Sequence, residues 1–499
     1  MGKGMPRRKF FGYGLGLGTV LVARPWDLFG GIASATEGPR ALVARTLGKT
    51  NRAVTTFGLG GQASLQWTPE GIDPVALIAK AIMLGTTYLD TSNVYGPSQA
   101  NFGKAFKKLD LIPGKPVYNE PMRRKIFLAT KTMMRYTAPF EGDLGPGSRS
   151  NGESVRGAID DVKRSLSLIF GDGKGNYPKG SYLDLVQVHN IQSFEHVDAI
   201  YAGLENPDPK AGPIGALAGL LDLRDGTNRT GFNPGNERLI GHIGITGHWN
   251  SPAHMYAMQK DSRGILDTLL VAINANDRLY FNHQYNAIPL AKAKGMGVIA
   301  MKVFADGAFY GKTPRFSSAP SDVVHAIGSD AFPSKLAVRY SLSIPGVDTA
   351  IMGIGNERQL LANIQASQLK GPLSEAELRA IEGRAKDALG KTTNYFQRPY
   401  EGLSAPKNVR VELDMPYGKK DLDVRIFWDT AYAGDEPLAF YEVLKDGKPF
   451  KRVQAAPQTS LEPFFVTDAL AKEAAHTYQV RVTDRAGRSR ASQEVTAKT

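Results

Sequence analysis

The sequence predicts an α/β protein, a closed (β/α)8 barrel followed by a small all-β sandwich, and three observations carry that reading. Eight short apolar runs alternate with eight stretches of helical periodicity between about residues 45 and 366. Polar side chains able to do chemistry stand at the ends of three neighbouring runs. From about residue 405 the pattern changes to short strands of period-two alternation. Eight βα pairs over this length favour a closed barrel over a doubly wound sheet. The expected organisation is a targeting segment over 1–35, the barrel over 36–395, a linker over 396–404 and the sandwich over 405–499.

A chain of 499 residues calls for two or three domains, and 42% hydrophobic with 22% charged residues is the composition of a soluble globular protein with a sizeable core. The formal charge is +13; five basic residues and one acid precede position 36, so the remainder carries +9. That favours an anionic cofactor or surface. No run of Lys and Arg interleaved with aromatics is present, which argues against nucleic acid as a partner. The absence of cysteine excludes disulfides, thiolate zinc, iron–sulfur clusters and cysteine nucleophiles, and the eight histidines show no paired metal-site spacing, so no metal is expected.

Taken in order, residues 1–35 combine Arg7-Arg8, a Gly-rich weakly apolar run over 11–23 and Ala33-Ser34-Ala35. The last three fit a small-x-small cleavage site. The segment resembles a bacterial twin-arginine signal, which implies export to the periplasm or beyond. The expected barrel strands are 54–59, 87–90, 126–130, 183–188, 239–246, 266–272, 297–301 and 349–352. The expected helices are 74–84, 99–107, 153–168, 194–204, 252–260, 285–294, 334–342 and 357–366, with Ser98 as a cap for the second. Four connections are long, polar and rich in Gly and Pro: 110–123, 135–151, 206–236 and 303–331. Loops 135–151 and 303–331 follow strands and so overhang the catalytic face; the other two precede strands and belong on the opposite face. Leu373-Ser374-Glu375 opens a capped helix that closes the barrel. Beyond the linker the expected strands are 408–413, 423–428, 440–444, 477–483 and 492–496. Trp428, Tyr441, Leu470 and Tyr478 resemble the core of a fibronectin type III module, which implies a packing or docking role toward a cell-envelope or protein partner.

The chemistry starts at residues 85–96, a short apolar strand ending in Asp90, then a turn carrying Tyr95 and Gly96. Lys131 ends the third strand and His189 the fourth, so four polar side chains converge on one rim. Met133, Met134, Tyr136, Trp249 and Phe304 are candidates for an apolar cleft beside them.

These stretches resemble the aldo-keto reductase superfamily from about residue 45 to 389. The resemblance rests on Arg45-Thr46-Leu47-Gly48, Phe57-Gly58-Leu59-Gly60-Gly61, Asp90-Thr91 with Tyr95-Gly96 and Gly103, Thr130-Lys131, Asp184-Leu185 with His189, Ile243-Gly244-Ile245, and Gln359 with Asn363, all in family order. It implies the catalytic tetrad Asp90, Tyr95, Lys131 and His189 and hydride transfer between a nicotinamide dinucleotide and a small carbonyl or alcohol. In that scheme Tyr95 is the acid, Lys131 draws its pKa down from about 10, Asp90 holds Lys131, and His189 orients the carbonyl. Thr246 stands where many relatives hold the carboxamide with Ser-Asn, and Gly247 departs from that pair; Asn274 or Asn276 is the candidate for the missing amide. The phosphate end is expected along 352–359, where Gly353 and Gly355 lead into a helix N-terminus carrying Arg358, Gln359 and Asn363. Relatives that prefer NADP place a base at the position of Gly355; Arg358 or Lys302 can take that role. NADP is therefore expected over NAD, with NAD as the alternative. A second reading keeps the barrel and nucleotide as a sensor without turnover, and a third has the dinucleotide permanently bound.

Overall fold

A computed structural model describes residues 42–139, 157–279, 282–313, 315–329, 332–369, 371–389, 402–414, 422–471 and 474–498. The targeting segment expected over 1–35, most of loop 135–151, the start of the helix expected at 153, and most of the linker expected over 396–404 lie outside the described residues.

The chain opens with a hairpin of β1 (Ala44–Thr46) and β2 (Ala53–Thr55). Eight parallel strands then close into a barrel: β3 (Phe57–Ala63), β4 (Tyr88–Asp90), β5 (Phe127–Thr132), β6 (Leu183–Val188), β7 (Ile240–Gly247), β8 (Thr268–Ala272), β9 (Gly297–Met301) and β10 (Thr349–Ile354), with β10 pairing β3. The single run expected over 54–59 is two elements. The chain turns at Thr56, whose N–H donates to Val43 O at 2.9 Å, so 53–55 lie in the hairpin and only the residues from 57 enter the wall.

The hairpin plugs the lower end of the barrel. Leu47 packs there with Tyr88, Phe127, Leu185, Leu270 and Ile299, all buried. Burial of each such side chain stabilises by about 1.5–3 kcal/mol. Gly48 at the hairpin tip has φ +46°, and a Cβ there would lie 2.2 Å from Gly297 N, so only glycine permits the approach. Side chains alternate along a strand, so the inward positions Tyr88, Phe127 and Leu185 put Asp90 and Gln187 two residues on and Lys131 four residues on, all facing the barrel interior. Hydrophobic filling below thus raises the polar groups to the upper mouth.

The outer helices are α1 (Pro74–Met83), α2 (Ser98–Lys108), α3 (Glu120–Lys125), α4 (Ala158–Phe170), α5 (Phe194–Tyr201), α6 (Ala216–Asp225), α7 (Ser251–Lys260), α8 (Ala287–Ala293), α9 (Ser334–Ser343), α10 (Glu357–Ser367) and α11 (Glu375–Leu389). Ser98 does not cap α2 as expected; it is the helix's first residue, and its Oγ pairs with Thr91 Oγ1 at 2.9 Å. Ser374 does cap α11, its Oγ accepting from Glu377 N at 3.3 Å while Glu377 Oε2 accepts from Ser374 N at 2.8 Å.

Two connections expected to be loops hold helices: α3 overlaps the end of 110–123, running on to Lys125, and α6 falls within 206–236. Flanking Gly and Pro masked α6, yet Leu217, Leu220, Leu221 and Leu223 are buried in the barrel's outer core. Its start also reaches the catalytic face, contrary to expectation. Thr137 N donates to Ile214 O and Ala216 N to Arg135 O, each at 2.8 Å, which ties this insertion to the exit of β5.

The C-terminal part is two antiparallel sheets. One holds β11 (Lys407–Asp414), β12 (Leu422–Asp429) and β15 (Phe464–Leu470); the other holds β13 (Leu438–Lys445), β14 (Lys448–Gln454), β16 (Ala475–Asp484), β17 (Ser489–Ala491) and β18 (Val495–Lys498). β14 and β15 were not expected, and the run expected over 492–496 instead spans the gap between β17 and β18. Three of the seven residues of β14, Lys448, Lys451 and Arg452, are charged and exposed, which hides its alternation. Trp428, Tyr441, Leu470 and Tyr478 are all buried in one core with Val424, Ile426, Val480 and Val482.

Candidate active site

The turn after β4 is held from three sides. Gly61 lies so close that a Cβ would sit 2.6 Å from Asp90 O. Asn93 Nδ2 donates to Asp161 Oδ2 at 2.7 Å, and the same oxygen accepts from Thr132 Oγ1 at 2.6 Å, joining the turn to α4 and β5. Gln99 Nε2 bridges Thr130 Oγ1 (2.9 Å) and Ser165 Oγ (2.7 Å). Tyr95 is thereby fixed at the mouth, 9% exposed.

The four expected side chains converge. Lys131 Nζ bonds Asp90 Oδ1 and donates to Thr91 O at 2.9 Å. The same ammonium lies 4.8 Å from the centroid of the Tyr95 ring, and the His189 ring meets that ring edge-on at 5.8 Å between centroids. His189 Nδ1 faces Ser92 Oγ at 3.4 Å, and Arg135 Nη1 donates to His189 O at 3.0 Å.

Burial dominates the electrostatics. It pushes Asp90 up and Lys131 down, each opposed by the other's charge. It pushes the Tyr95 phenol well above its ordinary value, with Asp90 and Asp306 adding to the rise. The expectation that Lys131 draws the phenol down therefore fails: Asp90 neutralises the ammonium at close range, and desolvation of a phenolate outweighs what is left. His189 is pushed well below the usual imidazole range by burial and then by Lys131, Arg135 and Lys302, so its ring is neutral near pH 7.

Asp90 and Tyr95 open onto a cleft that runs past Gly60, Gly61, His248 and Lys302 to Gly353, Gln359 and Asn363. The loop after β9 forms its far wall with Phe304, Asp306, Lys312 and Phe316, as expected for the region 303–331. Phe316 meets Trp67 edge-on at 6.0 Å across the mouth. Lys302, Ala305 and Asp306 all have φ between +48° and +57°, a strained run held by the Lys302 Nζ to Asp306 Oδ1 bond of 2.5 Å.

The aldo/keto reductase family model matches residues 56–386. This chain belongs to the aldo/keto reductase family. Members of the family are NAD(P)-dependent oxidoreductases acting on small-molecule carbonyls, and the matched span is the barrel described above. Among curated relatives, L-galactose dehydrogenase from Arabidopsis thaliana is 25% identical over 337 residues, covering 64% of this chain and 87% of its own. An uncharacterised oxidoreductase from Bacillus subtilis is 21% identical over 365 residues, covering 70% and 98%. Among solved structures, the holo form of an aldo-keto reductase from Bacillus halodurans covers 70% of this chain and 98% of its own at 20% identity and TM-score 0.42. An aldo/keto reductase from Klebsiella pneumoniae, in complex with NADP and acetate, covers 72% and 100% at 16% identity and TM-score 0.42.

The reductase barrel suits a dinucleotide on its own features. Glycine backbone at 60, 61 and 353 lines the cleft, two lysines face it, and Thr246 Oγ1 is buried at the upper end of β7 with no hydrogen-bond partner among the described residues. Lys302, Gly353, Gln359 and Asn363 of the expected cofactor set lie on the cleft wall, while Thr246, Asn274, Gly355 and Arg358 do not. Asn274 is committed elsewhere: Nδ2 donates to Lys302 O at 2.9 Å and Oδ1 accepts from Asn276 N and Asp277 N, which folds the turn after β8. Arg358 is exposed in the first turn of α10.

Gly355 has a packing reason that the sequence does not reveal. A Cβ there would lie 2.3 Å from Val324 O, because Gln359 Nε2 clasps Val324 O (2.8 Å) and Ala326 O (2.7 Å) over the β10–α10 turn. No basic side chain fits at 355 beneath that clasp. The sequence pattern carries no signal for Trp67, and only the length of the loop after β9 points to Asp306, Lys312 and Phe316. Met134 belongs to the outer core rather than the cleft, and Trp249 lines a separate groove with Phe194 and Tyr432.

Proposed function

We propose that this reductase is exported and reduces small-molecule carbonyls with NADPH, Tyr95 serving as the general acid and, in reverse, as the base. The observation that supports it most is the cluster of Asp90, Tyr95, Lys131 and His189, brought together from three consecutive strands, with Asp90 and Tyr95 lining the cleft and Lys131 and His189 packed behind them. When bound, NADPH supplies the hydride to the carbonyl carbon. Tyr95 Oη gives its proton to the carbonyl oxygen as negative charge develops there. Neutral His189 donates a hydrogen bond to the same oxygen, fixing which face of the carbonyl is presented. Lys131, held by Asp90, packs beneath the Tyr95 ring and balances the buried Asp90 carboxylate. NADP over NAD rests on Lys302 and Lys312, the two cations lining the cleft.

A phenol held well above its ordinary pKa stays protonated through the neutral range, which favours reduction. Reduction of an aromatic aldehyde is expected to stay near its maximum from pH 6 to about 9, whereas alcohol oxidation, which needs the deprotonated form, climbs about tenfold per pH unit over the same range. Steady-state assays in both directions check this. Failure of the chain to bind either dinucleotide in a fluorescence titration rejects the enzyme reading outright.

Export by the twin-arginine route is supported by Arg7-Arg8, the weakly apolar run and Ala33-Ser34-Ala35. Replacing Arg7 and Arg8 together with Lys is expected to leave the protein in the cytoplasm; normal translocation of that variant removes the assignment. The C-terminal sandwich is read as fibronectin type III-like from its Trp428, Tyr441, Leu470 and Tyr478 core. Leu413, Leu461 and Phe465 are exposed there and are available to a cell-envelope or protein partner.

A further inference from the structure

The β13 side of the sandwich is bonded into the barrel through buried side chains. Asn286 pairs with the backbone of Ala433 in both directions, Oδ1 accepting from its N–H at 2.8 Å and Nδ2 donating to its C=O at 3.1 Å. Asn282 Nδ2 donates to Gly434 O at 2.7 Å. Arg278 donates to Asp435 O and lies between Glu382 of α11 (3.1 Å) and Glu436 (3.5 Å), and Arg379 holds Glu436 at 2.6 Å. Arg278, Asn282 and Asn286 are each at most 5% exposed.

All three barrel residues belong to the connection between β8 and α8, and that connection reaches the cleft. His283, next to Asn282, lies with Nε2 3.3 Å from His248 O. A carbonyl only accepts, so Nε2 carries the proton, and Nδ1 accepts from Ser251 Oγ at 2.7 Å. Burial keeps this imidazole neutral, its pKa pushed down to about 4, as the arrangement requires. Ser251 Oγ also lies 3.0 Å from Asn282 O. His248 in turn lines the cleft beside Asp90 and Tyr95.

We infer that the C-terminal sandwich positions the active-site wall: residues 433–436 latch Arg278, Asn282 and Asn286, and His283 beside them, with Ser251, sets the β7–α7 turn carrying His248. Asn282 and Asn286 are positioning residues, acting on the cleft without touching it. Both backbone groups of Ala433 and the carbonyl of Gly434 pair with these two amides, so order passes from the sandwich into the barrel through directional bonds. The sandwich is then part of the catalytic unit and not a detachable tail.

The test uses the full chain carrying Asn282→Ala and Asn286→Ala together, with Lys294→Ala as a control, since Lys294 Nζ bonds Thr459 O at the same domain junction but has no link to His283. Hydrogen–deuterium exchange of amides 248–251 is expected to quicken about tenfold in the double variant and stay at the wild-type rate in the control. KM for an aromatic aldehyde is expected to rise more than kcat falls. Faster exchange at 433–436 with unchanged exchange at 248–251 overturns the inference, and so does a double variant that leaves 433–436 as protected as before. The exchange measurement needs no turnover, so a chain inactive toward carbonyls rejects the proposed function without touching this result.

Discussion

Tyr95→Phe lowers kcat for carbonyl reduction by about 10²–10⁴ while leaving dinucleotide binding within a factor of two. The substitution removes only the phenolic oxygen. The ring stays packed edge-on to His189 at 5.8 Å, and Lys131 stays 4.8 Å from its centroid, so the cleft keeps its shape. What is lost is the proton donor, and a neutral His189 cannot replace it, because burial and the cations around it hold its pKa well down. Single-turnover measurements of nicotinamide absorbance separate the chemical step from binding. Reduction at the wild-type rate removes Tyr95 from the role of acid and points to a water or to His189 instead.

Lys131→Met destabilises the barrel by about 3–5 kcal/mol at pH 7 and abolishes turnover. Lys131 and Asp90 are each 1% exposed, and the ammonium is the only cation bonded to that carboxylate among the described residues. Its remaining polar neighbour, Gln187 Nε2, stands at 3.5 Å. Without the lysine, burial raises the Asp90 pKa unopposed, so the folded form binds more protons than the unfolded form above pH 4. Stability then falls as pH rises and recovers as pH falls through the raised folded-state pKa. Denaturant unfolding of wild type and variant at pH 5 and pH 8 checks the sign; a deficit that is equal at the two values shows that Asp90 is already neutral in the native enzyme.

The barrel was legible because its pattern is local. A buried parallel strand reads as a short apolar run and an outer helix by its 3.6-residue period, so eight of each could be placed within a few residues. Residues that end strands are legible too: alternation places Asp90, Lys131 and His189 at one mouth once the apolar layer below is recognised. Failures came where local signals compete. Gly and Pro around α6 outweighed its leucines, the charges of β14 hid its alternation, and the break at Thr56 depends on a bond to Val43 across the hairpin.

The residues of this chain determine by themselves a barrel of alternating strands and helices, a second all-β region, and four polar side chains at the ends of three neighbouring strands, in the order that resembles the aldo-keto reductase tetrad. Tertiary structure alone decided the rest. Whether the phenol is drawn down by Lys131 or driven up by burial depends on how tightly Asp90 holds the ammonium, a distance between two strands. Gly355 looks like a missing base until Val324 O is seen to occupy the space of its Cβ. The sandwich reads as an appendage until Asn282 and Asn286 are found bonded to its backbone more than 140 residues away in the chain. Each of these turns on a contact between segments remote in sequence, and desolvation, close packing and hydrogen-bond satisfaction have no local periodicity from which to read them.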